Sequence, residues 1–315
     1  MMKILVTGGT GLVGYGIQSV AEDFSTKYNY QFIFLSSNDC DLLVLNKVQY
    51  LFEKEKPDLV IHLAACVGGL FKNMNYKVDM YEKNILINYN VLKCCHDYKV
   101  KKVVSCLSTC IFPDKTSYPI NEEMLHNGPP HSSNDAYAYA KRMLEVQSNA
   151  YQEQYGDNFI CIIPTNIYGE YDNYSLNDAH VIPALIHKCF LAKKQNKPFV
   201  VCGSGKSLRQ FIYSQDLAKL IIWSLLEYNE NKSIILSVEE KDEISIEEIS
   251  RIIAKEFDYE DNILFDTSYS DGQFKKTVDN SKLMKLYPDF KFTNINIGIK
   301  QSISWFINNY SSCRK

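Results

Sequence analysis

Tyrosine and lysine residues spaced four apart are the first feature of this sequence that could perform acid–base chemistry. Residues four apart share one face of a helix. An ammonium group beside a phenol should lower the phenol's pKa from about 10, so that it can exchange a proton near neutral pH. The chain has 22 tyrosines, so most such pairs are expected to be ordinary helix surface. They are Tyr50/Lys54, Tyr89/Lys93, Tyr98/Lys102, Tyr137/Lys141, Tyr228/Lys232 and Tyr287/Lys291.

Position in the chain singles out Tyr137 and Lys141. This pair lies in a helix-like stretch that follows a strand-like run leading to Ser108. Side chains at the carboxyl ends of parallel strands face the ligand crevice, so we expect Ser108 to hydrogen-bond a substrate carbonyl oxygen that Tyr137 protonates. Residues two apart on an extended segment point to the same side, which places Cys110 beside Ser108.

A glycine-rich segment follows the first strand-like run. It reads Thr-Gly-Gly-Thr-Gly-Leu-Val-Gly over residues 7–14 and opens a helix-like stretch. Glycines at such a turn let backbone amides approach a pyrophosphate, and the positive end of the helix dipole favours the same anion. The pattern alone is weak evidence, but its position between a strand and a helix favours dinucleotide binding. The predicted contacts are Gly8, Gly9, Thr10, Gly11, Leu12, Val13 and Gly14.

The end of the second strand-like run bears on which dinucleotide binds. NAD-binding folds place an acidic residue there to accept the ribose hydroxyls. This run is followed instead by Ser36 and Ser37, and the first carboxylate is Asp39. Small hydroxyl side chains leave space and hydrogen bonds for a 2′-phosphate, so the sequence favours NADPH, although no arginine stands nearby to pair with the phosphate.

Strand-like and helical stretches alternate through the first half of the chain. Apolar runs at 4–6, 32–35, 59–63 and 103–107 alternate with amphipathic stretches at 12–24, 48–54 and 81–98, and a helix at 135–155 leads into a run at 159–163. This alternation predicts an α/β fold with a doubly wound parallel sheet, Rossmann-like in topology.

After residue 165 the alternation of strand-like and helical stretches becomes less regular. Helices are expected at 180–192, 214–228 and 299–310, a strand at 199–202, and a glycine-containing loop at 271–272. We therefore predict an NADP-binding domain over residues 1–165, which the chain re-enters around 205–235. Residues 166–315 should form mainly a second, smaller α/β substrate-binding domain.

Composition excludes several other classes of protein. The 315 residues carry a net charge of −3 with a pI of about 6.1, so no global basic field attracts nucleic acid or an anionic membrane. No apolar run approaches the roughly 20 residues of a transmembrane helix, and the early strand leaves no room for a signal peptide. Ten scattered cysteines without zinc-ligand spacing predict reduced thiols and no metal site. We expect a cytoplasmic protein.

Two sets of motifs carry a resemblance to a known family. The general set comprises the glycine pattern, Ser108, Tyr137-x-x-x-Lys141 and His62-Leu63-Ala64-Ala65. The narrower set comprises Val67-Gly68-Gly69-Leu70, Leu107-Ser108-Thr109-Cys110-Ile111-Phe112-Pro113, Pro164-Thr165-Asn166-Ile167-Tyr168-Gly169, His180-Val181-Ile182-Pro183-Ala184-Leu185 and Arg209-Gln210-Phe211. In the first set the chain resembles the extended short-chain dehydrogenases/reductases that act on nucleotide sugars. In the second it resembles, nearly end to end, the GDP-L-fucose synthase family.

The resemblance implies an activity and a set of catalytic residues. Members of that family are bifunctional 3,5-epimerases and NADPH-dependent 4-reductases that convert GDP-4-keto-6-deoxy-D-mannose to GDP-L-fucose. The residues matching Cys110 and His180 exchange protons at sugar carbons 3 and 5, next to the C4 ketone, and a thiol and an imidazole suit that role near neutral pH. Ser108, Tyr137 and Lys141 then serve the reduction of C4.

The resemblance also implies the remaining binding residues. Further cofactor contacts are expected at Asp41, Ala64, Ala65, Lys141, Pro164, Asn166, Ile167 and His180. Contacts with the GDP-sugar are expected at Asn166, Lys188, Arg209, Asp271 and Lys276. Thr10 and Cys202 stand where some members carry arginine and tryptophan, a departure that bears on phosphate and guanine contacts and not on the reaction.

Two alternatives stay open at this point. A nucleotide-sugar 4-epimerase or 4,6-dehydratase of the same fold would keep its NAD and return the hydride. Dehydratases carry Asp-Glu after the strand-end residue, however, where this chain has Cys110 and Ile111. A non-catalytic NADP-sensing protein of the same fold would typically lack Tyr137. By analogy with the family, a homodimer through the helices near 84–98 and 137–155 is also expected.

Overall fold

Strands and helices alternate along the chain in the computed structural model, which describes residues 1–269, 271 and 273–315. The chain divides into two units. The first comprises residues 1–115, 122–164 and 215–236, and the second comprises residues 116–121, 165–214 and 237–315. Cofactor binding by the first unit and substrate binding by the second stay predictions.

The described residues form strands and helices with the following bounds. The strands are β1 (Met2–Thr7), β2 (Tyr30–Phe34), β3 (Leu59–His62), β4 (Lys102–Cys106), β5 (Phe159–Pro164), β6 (Asn166–Tyr168), β7 (Phe199–Cys202), β8 (Leu208–Arg209), β9 (Phe211–Tyr213), β10 (Ile234–Leu236), β11 (Ile244–Ser245) and β12 (Ile263–Asp266). The helices are α1 (Leu12–Tyr28), α2 (Leu45–Glu55), α3 (Leu70–Asn75), α4 (Lys77–Asp97), α5 (Asp135–Tyr155), α6 (Val181–Gln195), α7 (Ser214–Leu226), α8 (Ile246–Glu256), α9 (Ser281–Leu286) and α10 (Ile295–Asn308).

The first unit contains a six-stranded parallel sheet in the order β2-β1-β3-β4-β5-β10. Every residue of β3, β4 and β5 is buried, as expected when helices cover both faces of a parallel sheet. The chain passes from β1 to β2 on one side and later adds β3 on the other. This reversal opens a crevice at the carboxyl ends of the strands, and the predicted doubly wound α/β fold is confirmed.

The second unit is built from short strand pairs packed against helices. β6 pairs with β9 and β7 with β12 in parallel, whereas β8 and β11 are antiparallel. Its core contains large aromatic side chains, among them Tyr168, Tyr174 and Phe306, together with aliphatic residues of α6, α8 and α10. Apolar burial on this scale holds the helices against the strand pairs.

Some element bounds agree with the sequence analysis and others extend beyond it. α5 and β7 have the predicted bounds, whereas α4 begins at Lys77 and not at residue 81. α10 begins at Ile295 because the Asn294 side chain accepts a hydrogen bond from the Asn296 amide and caps the helix earlier than expected. Gly272, part of a loop expected at 271–272, lies outside the described residues. Within the described chain, no helix combines the length and apolarity needed to cross a membrane.

Candidate active site

The glycine segment forms a tight turn between β1 and α1. Gly8 has a φ of +70°, and a Cβ on it would lie 2.9 Å from the Ala64 amide nitrogen. A Cβ on Gly14 would lie 2.4 Å from the carbonyl carbon and oxygen of Gly9, so α1 packs directly on the turn. Gly11 occupies the N-cap position and has no side chain to accept from the first-turn amides, which leaves those amides to an anion.

A buried hydrogen-bond chain connects the ends of β1 and β3. His62 Nδ1 lies 2.8 Å from Thr7 Oγ1, which accepts from the Ala64 amide at 3.2 Å, and His62 Nε2 lies 3.1 Å from Asn88 Oδ1. Burial, together with the charge of Lys141, lowers the pKa of His62 to about 3. The neutral ring therefore donates from Nε2 to Asn88 and accepts the Thr7 hydroxyl at Nδ1, which fixes the Ala64 backbone beside the glycine turn.

Asn88 and Thr7 are site residues that sequence reasoning missed. Asn88 is 26 residues from His62 along the chain, and no local spacing connects them. The only available signal was a polar residue on the apolar face of α4, where Asn88 is almost fully buried.

At the end of β2, Ser36 already has a partner. Asp39 accepts from the Ser36 hydroxyl at 2.6 Å and from the Ser36 amide at 2.7 Å. These hydrogen bonds lower the pKa of Asp39, which is a carboxylate at neutral pH. Ser37 is exposed, and Asp41 accepts from the Leu43 amide at 3.1 Å. A 2′-phosphate can therefore reach the Ser37 hydroxyl directly, but it must displace Asp39 to reach Ser36.

Ser108 begins a 3-10 turn and does not continue strand β4. The turn covers Thr109–Ile111, and Ser108 Oγ accepts from the Cys110 amide at 3.4 Å. The prediction that residues 108–110 are extended is wrong, because the serine hydroxyl caps the turn and so competes with strand continuation. Ser108 and Cys110 nevertheless lie next to each other at the carboxyl end of β4, and both are half-buried.

Tyr137 and Lys141 lie one turn apart on α5, which packs against the turn that carries Cys110. Lys141 Nζ is 6.0 Å from the Tyr137 ring centroid and donates to the Cys106 carbonyl at 2.8 Å. Burial lowers the pKa of Lys141. Although Tyr137 as a residue is only half-buried, exclusion of water from its hydroxyl, aided by Cys110, raises its pKa well above the ordinary value. The prediction that Lys141 lowers this pKa is wrong, and Tyr137 is a protonated phenol.

His180 is the residue immediately before α6 in the second unit. It is exposed, yet neighbouring atoms exclude enough water from the imidazole to lower its pKa. Further along α6, Lys188 Nζ lies 3.6 Å from Cys202 Sγ. Asn166 donates to the Gln210 carbonyl at 2.9 Å. These residues keep polar side chains on the surface of the second unit.

Arg209 and Asp271 hold the segment that precedes residue 275 in the second unit. The Arg209 guanidinium donates to the carbonyls of Gln273 at 2.6 Å and of Phe274 at 3.3 Å, and burial lowers its pKa. Asp271 accepts from the amide and hydroxyl of Ser204 at 2.6 and 2.7 Å. Both side chains therefore have backbone partners that a phosphate or a sugar hydroxyl would have to replace.

The remaining predicted contacts are divided between the two units. Ala65 follows β3, Pro164 ends β5 and Ile167 is the middle residue of β6, whereas Lys276 is half-buried in the segment after residue 273. Ala65 and Pro164 are at the carboxyl edge of the parallel sheet, where ligands bind in doubly wound folds. Contact with a ligand stays a prediction for all four.

The first unit fits the phosphates of a dinucleotide. The α1 amides and the glycine turn lie at the carboxyl end of β1, and the contacts at Gly8 and Gly14 show that side chains at those positions would fill the cradle. The helix dipole stabilises negative charge there. Lys141 and Tyr137 on α5 are groups available to a reacting centre further along the crevice, since Lys141 Nζ reaches the Cys106 carbonyl at the end of β4.

A family profile, curated relatives and solved structures all match this chain over most or all of its length. Residues 4–238 match the sequence profile of the NAD dependent epimerase/dehydratase family. The chain is 56% identical to GDP-L-fucose synthase of Dictyostelium discoideum, over 99% of this chain and 97% of that protein. It is 50% identical to the probable GDP-L-fucose synthase of Drosophila melanogaster, over 100% of both. The crystal structure of a GDP-L-fucose synthetase from Naegleria fowleri bound to NADP is similar with a TM-score of 0.96 and 47% identity, over 100% of this chain and 95% of that chain.

Proposed function

The chain belongs to the NAD dependent epimerase/dehydratase family, and from that premise we propose that it converts GDP-4-keto-6-deoxy-D-mannose to GDP-L-fucose, with NADPH as reductant. The position of Cys110 carries the proposal, because the turn that carries its thiol packs against α5, the helix of Tyr137 and Lys141. A simple ketone reductase needs a proton donor but no thiol beside it. An epimerase needs a group that removes a proton from carbon.

Epimerisation uses the acidity that the C4 ketone gives to its neighbouring C–H bonds. The Cys110 thiolate takes the proton from carbon, the C–H electron pair moves to the ketone oxygen as an enolate, and Ser108 and Tyr137 donate hydrogen bonds to that oxygen. His180, from the second unit, is the proposed donor of the proton that returns to this carbon as the enolate collapses, and protonation with inversion restores the ketone. The same deprotonation and reprotonation take place at carbon 3 and at carbon 5. Cys110 and His180 then exchange protons with solvent and return to their starting protonation states.

Reduction uses the same oxygen contacts. Bound NADPH supplies the hydride that C4 receives. Tyr137 gives its proton to the C4 oxygen, which suits a phenol that burial keeps protonated in the resting state. The Lys141 ammonium stabilises the phenolate that remains. Ser108 keeps the oxygen in place through both halves of the reaction.

Homodimer formation is proposed from the apolar surface shared by α4 and α5. These helices pack side by side, and they leave several large apolar side chains exposed: Leu86 and Tyr89 on α4, and Tyr139, Met143 and Val146 on α5. The α5 residues recur at helical spacing and so form one stripe. A contiguous exposed apolar surface of this kind favours association, and a second copy of the chain is the proposed partner.

A cytoplasmic location is proposed from the cysteines. None of the ten cysteines in the described chain forms a disulfide. Exposed Cys202 and several half-buried thiols would be oxidised readily in a secretory compartment.

Product analysis tests the proposed reaction. Incubation with NADPH and GDP-4-keto-6-deoxy-D-mannose in D2O should yield GDP-L-fucose with deuterium at carbons 3 and 5, visible by NMR. The Cys110→Ser variant should bind NADPH normally but incorporate little deuterium, because an alcohol is a far weaker acid than a thiol. Cys313→Ser, a half-buried cysteine near the chain end, serves as the matched control. A product that is reduced but unlabelled would refute the epimerase role.

A further inference from the structure

Arg142 is a buried cation that the reaction described above does not use. The residue is 5% exposed, and its Nη2 is buried with no hydrogen-bond partner among the described residues. None of the ion pairs in the described parts of the chain includes it. Burying a guanidinium without a carboxylate is costly for folding. Fold stability therefore does not explain an arginine at this position, and a role in the reaction would.

The guanidinium is held against the turn that carries Cys110. Arg142 Nε donates to the Ile111 carbonyl at 2.5 Å, and Ile111 is the fully buried residue that follows Cys110 in the turn. On its other side, the Arg142 guanidinium carbon lies 5.6 Å from the centroid of the Tyr139 ring. These two contacts fix the guanidinium and brace the turn from the α5 side.

The positive charge of Arg142 also interacts with the Cys110 thiol. Cys110 and Arg142 interact electrostatically, in the sense that a thiolate favours the charged guanidinium. Tyr137 and Lys141 also interact electrostatically with Cys110. Tyr137 is neutral, and burial weakens the protonation of Lys141, whereas a guanidinium keeps its proton throughout the working pH range. Of these three groups, Arg142 is the one that keeps its positive charge at every working pH.

We propose that Arg142 is a positioning residue that holds the Cys110 turn and stabilises the Cys110 thiolate for proton exchange at carbon. The inference rests on the proposed function, in which Cys110 is the base. A cation beside a cysteine in a site of low dielectric increases the thiolate fraction. The orphaned Nη2 supplies this field without being neutralised by a carboxylate.

Two substitutions separate the charge of Arg142 from its hydrogen bond. Arg142→Gln keeps an amide donor and removes the charge, whereas Arg142→Lys keeps the charge and loses the planar fork. Arg251→Gln, on exposed α8 and paired with Glu247, is the matched control. The readouts are deuterium incorporation at carbons 3 and 5, NADP-dependent oxidation of GDP-L-fucose, and the pH dependence of Cys110 alkylation by iodoacetamide, followed by peptide mass spectrometry with exposed Cys202 as internal reference.

The expected result is a selective loss of proton exchange. Arg142→Gln should lower deuterium incorporation by roughly 10- to 100-fold, affect oxidation of GDP-L-fucose much less, and move the alkylation profile of Cys110 to higher pH. Arg142→Lys should keep the alkylation profile near that of the parent protein. Arg251→Gln should leave all three readouts unchanged.

The possible failures are distinguishable. A parental alkylation profile and exchange rate in Arg142→Gln would overturn the role of Arg142 and leave the proposed function intact. Equal displacement of the profile in Arg142→Lys would assign Arg142 to folding alone and also overturn the inference. If Arg142→Gln does not fold, Arg142→Lys is compared with the parent protein alone, and an alkylation profile displaced to higher pH despite the retained charge would overturn the inference. Parental exchange in Cys110→Ser would instead remove the proposed role of Cys110, and the inference with it.

Discussion

Among single residues, Tyr137 shows how burial decides a chemical role. Its phenol stays protonated because water is excluded from the hydroxyl, and the neighbouring Lys141 is itself weakened as a cation by burial. Tyr137 is therefore suited to give a proton to an oxygen that is gaining charge, and not to remove one from a neutral group. In reduction, Lys141 stabilises the phenolate once it forms.

Replacing Tyr137 by phenylalanine should slow reduction without preventing binding. Tyr137→Phe keeps the ring and its packing but removes the proton donor, so the rate of NADPH oxidation should fall by roughly 10²- to 10⁴-fold. The decrease in absorbance at 340 nm measures the rate, and fluorescence titration measures NADPH binding. Tyr155→Phe, an exposed tyrosine at the other end of α5, should behave like the parent protein. A parental rate in Tyr137→Phe would contradict the assignment.

Residue types and spacing identified part of this site and could not identify the rest. Ser108, Tyr137 and Lys141 were predictable because a strand end and a helix period place them. Asn88 and Arg142 were not, because their partners, His62 and the Ile111 carbonyl, are distant in sequence. Only a folded chain brings a lone arginine to a turn 31 residues before it.

At the scale of elements, the packing of α1 on the glycine turn positions the helix amides that we propose bind the cofactor phosphates. The glycine at the first helical turn matters because it lets the helix backbone touch the turn. A strand followed by a helix has a hydrophobic period that can be recognised in the sequence. The 3-10 turn after Ser108 is too short to have such a period. Its only signal was the capping serine.

Adding one methyl group to Gly14 should therefore push α1 away from the glycine turn. In Gly14→Ala the new Cβ would lie 2.4 Å from the Gly9 carbonyl, so backbone must move and the helix amides must retreat from the phosphates. NADPH affinity should fall by at least about tenfold, and the melting temperature should fall too. Gly128→Ala is the control, because its Cβ would lie an ordinary 3.4 Å from Pro113. Unchanged affinity in Gly14→Ala would show that the close contact does not matter.

At the scale of the whole molecule, one buried carboxyl links stability to pH. Asp172 is 4% exposed, its Oδ1 accepts from the Asn173 amide at 2.7 Å, and burial raises its pKa from 3.8 to about 7. A carboxyl whose pKa is raised on folding contributes stability that is fully present below pH 3.8 and is lost as the pH rises through about 7. At pH 8 the folded protein therefore carries an unfavourable buried charge.

Replacing that carboxyl by an amide should stabilise the protein increasingly as the pH rises from 3.8 to about 7, and by a constant amount above that. Asp172→Asn keeps the acceptor for the Asn173 amide, so its melting temperature should exceed that of the parent by several degrees at pH 8. At pH 4 the two should be nearly equal. Asp178→Asn, an exposed aspartate in the same loop, controls for net charge. A constant difference between pH 4 and pH 8 would contradict the role of Asp172.

Association of two copies can be tested on the α4–α5 surface. Met143→Glu places a charge in the middle of the exposed apolar stripe, so light scattering after gel filtration should show the parent as a dimer and the variant as a monomer. Tyr50→Glu, at an exposed position of α2, should remain a dimer. A monomeric parent protein would contradict the proposed homodimer.

The discontinuous course of the first unit has a consequence during synthesis on the ribosome. β10 completes the sheet by pairing with β5, but residues 165–214, which belong to the second unit, lie between them in the chain. The nascent protein therefore exposes an unpaired β5 edge until residue 236 has left the exit tunnel. Pausing of translation in this interval would prolong that exposure, so the timing of elongation, as well as the finished contacts, bears on how much active enzyme a cell obtains.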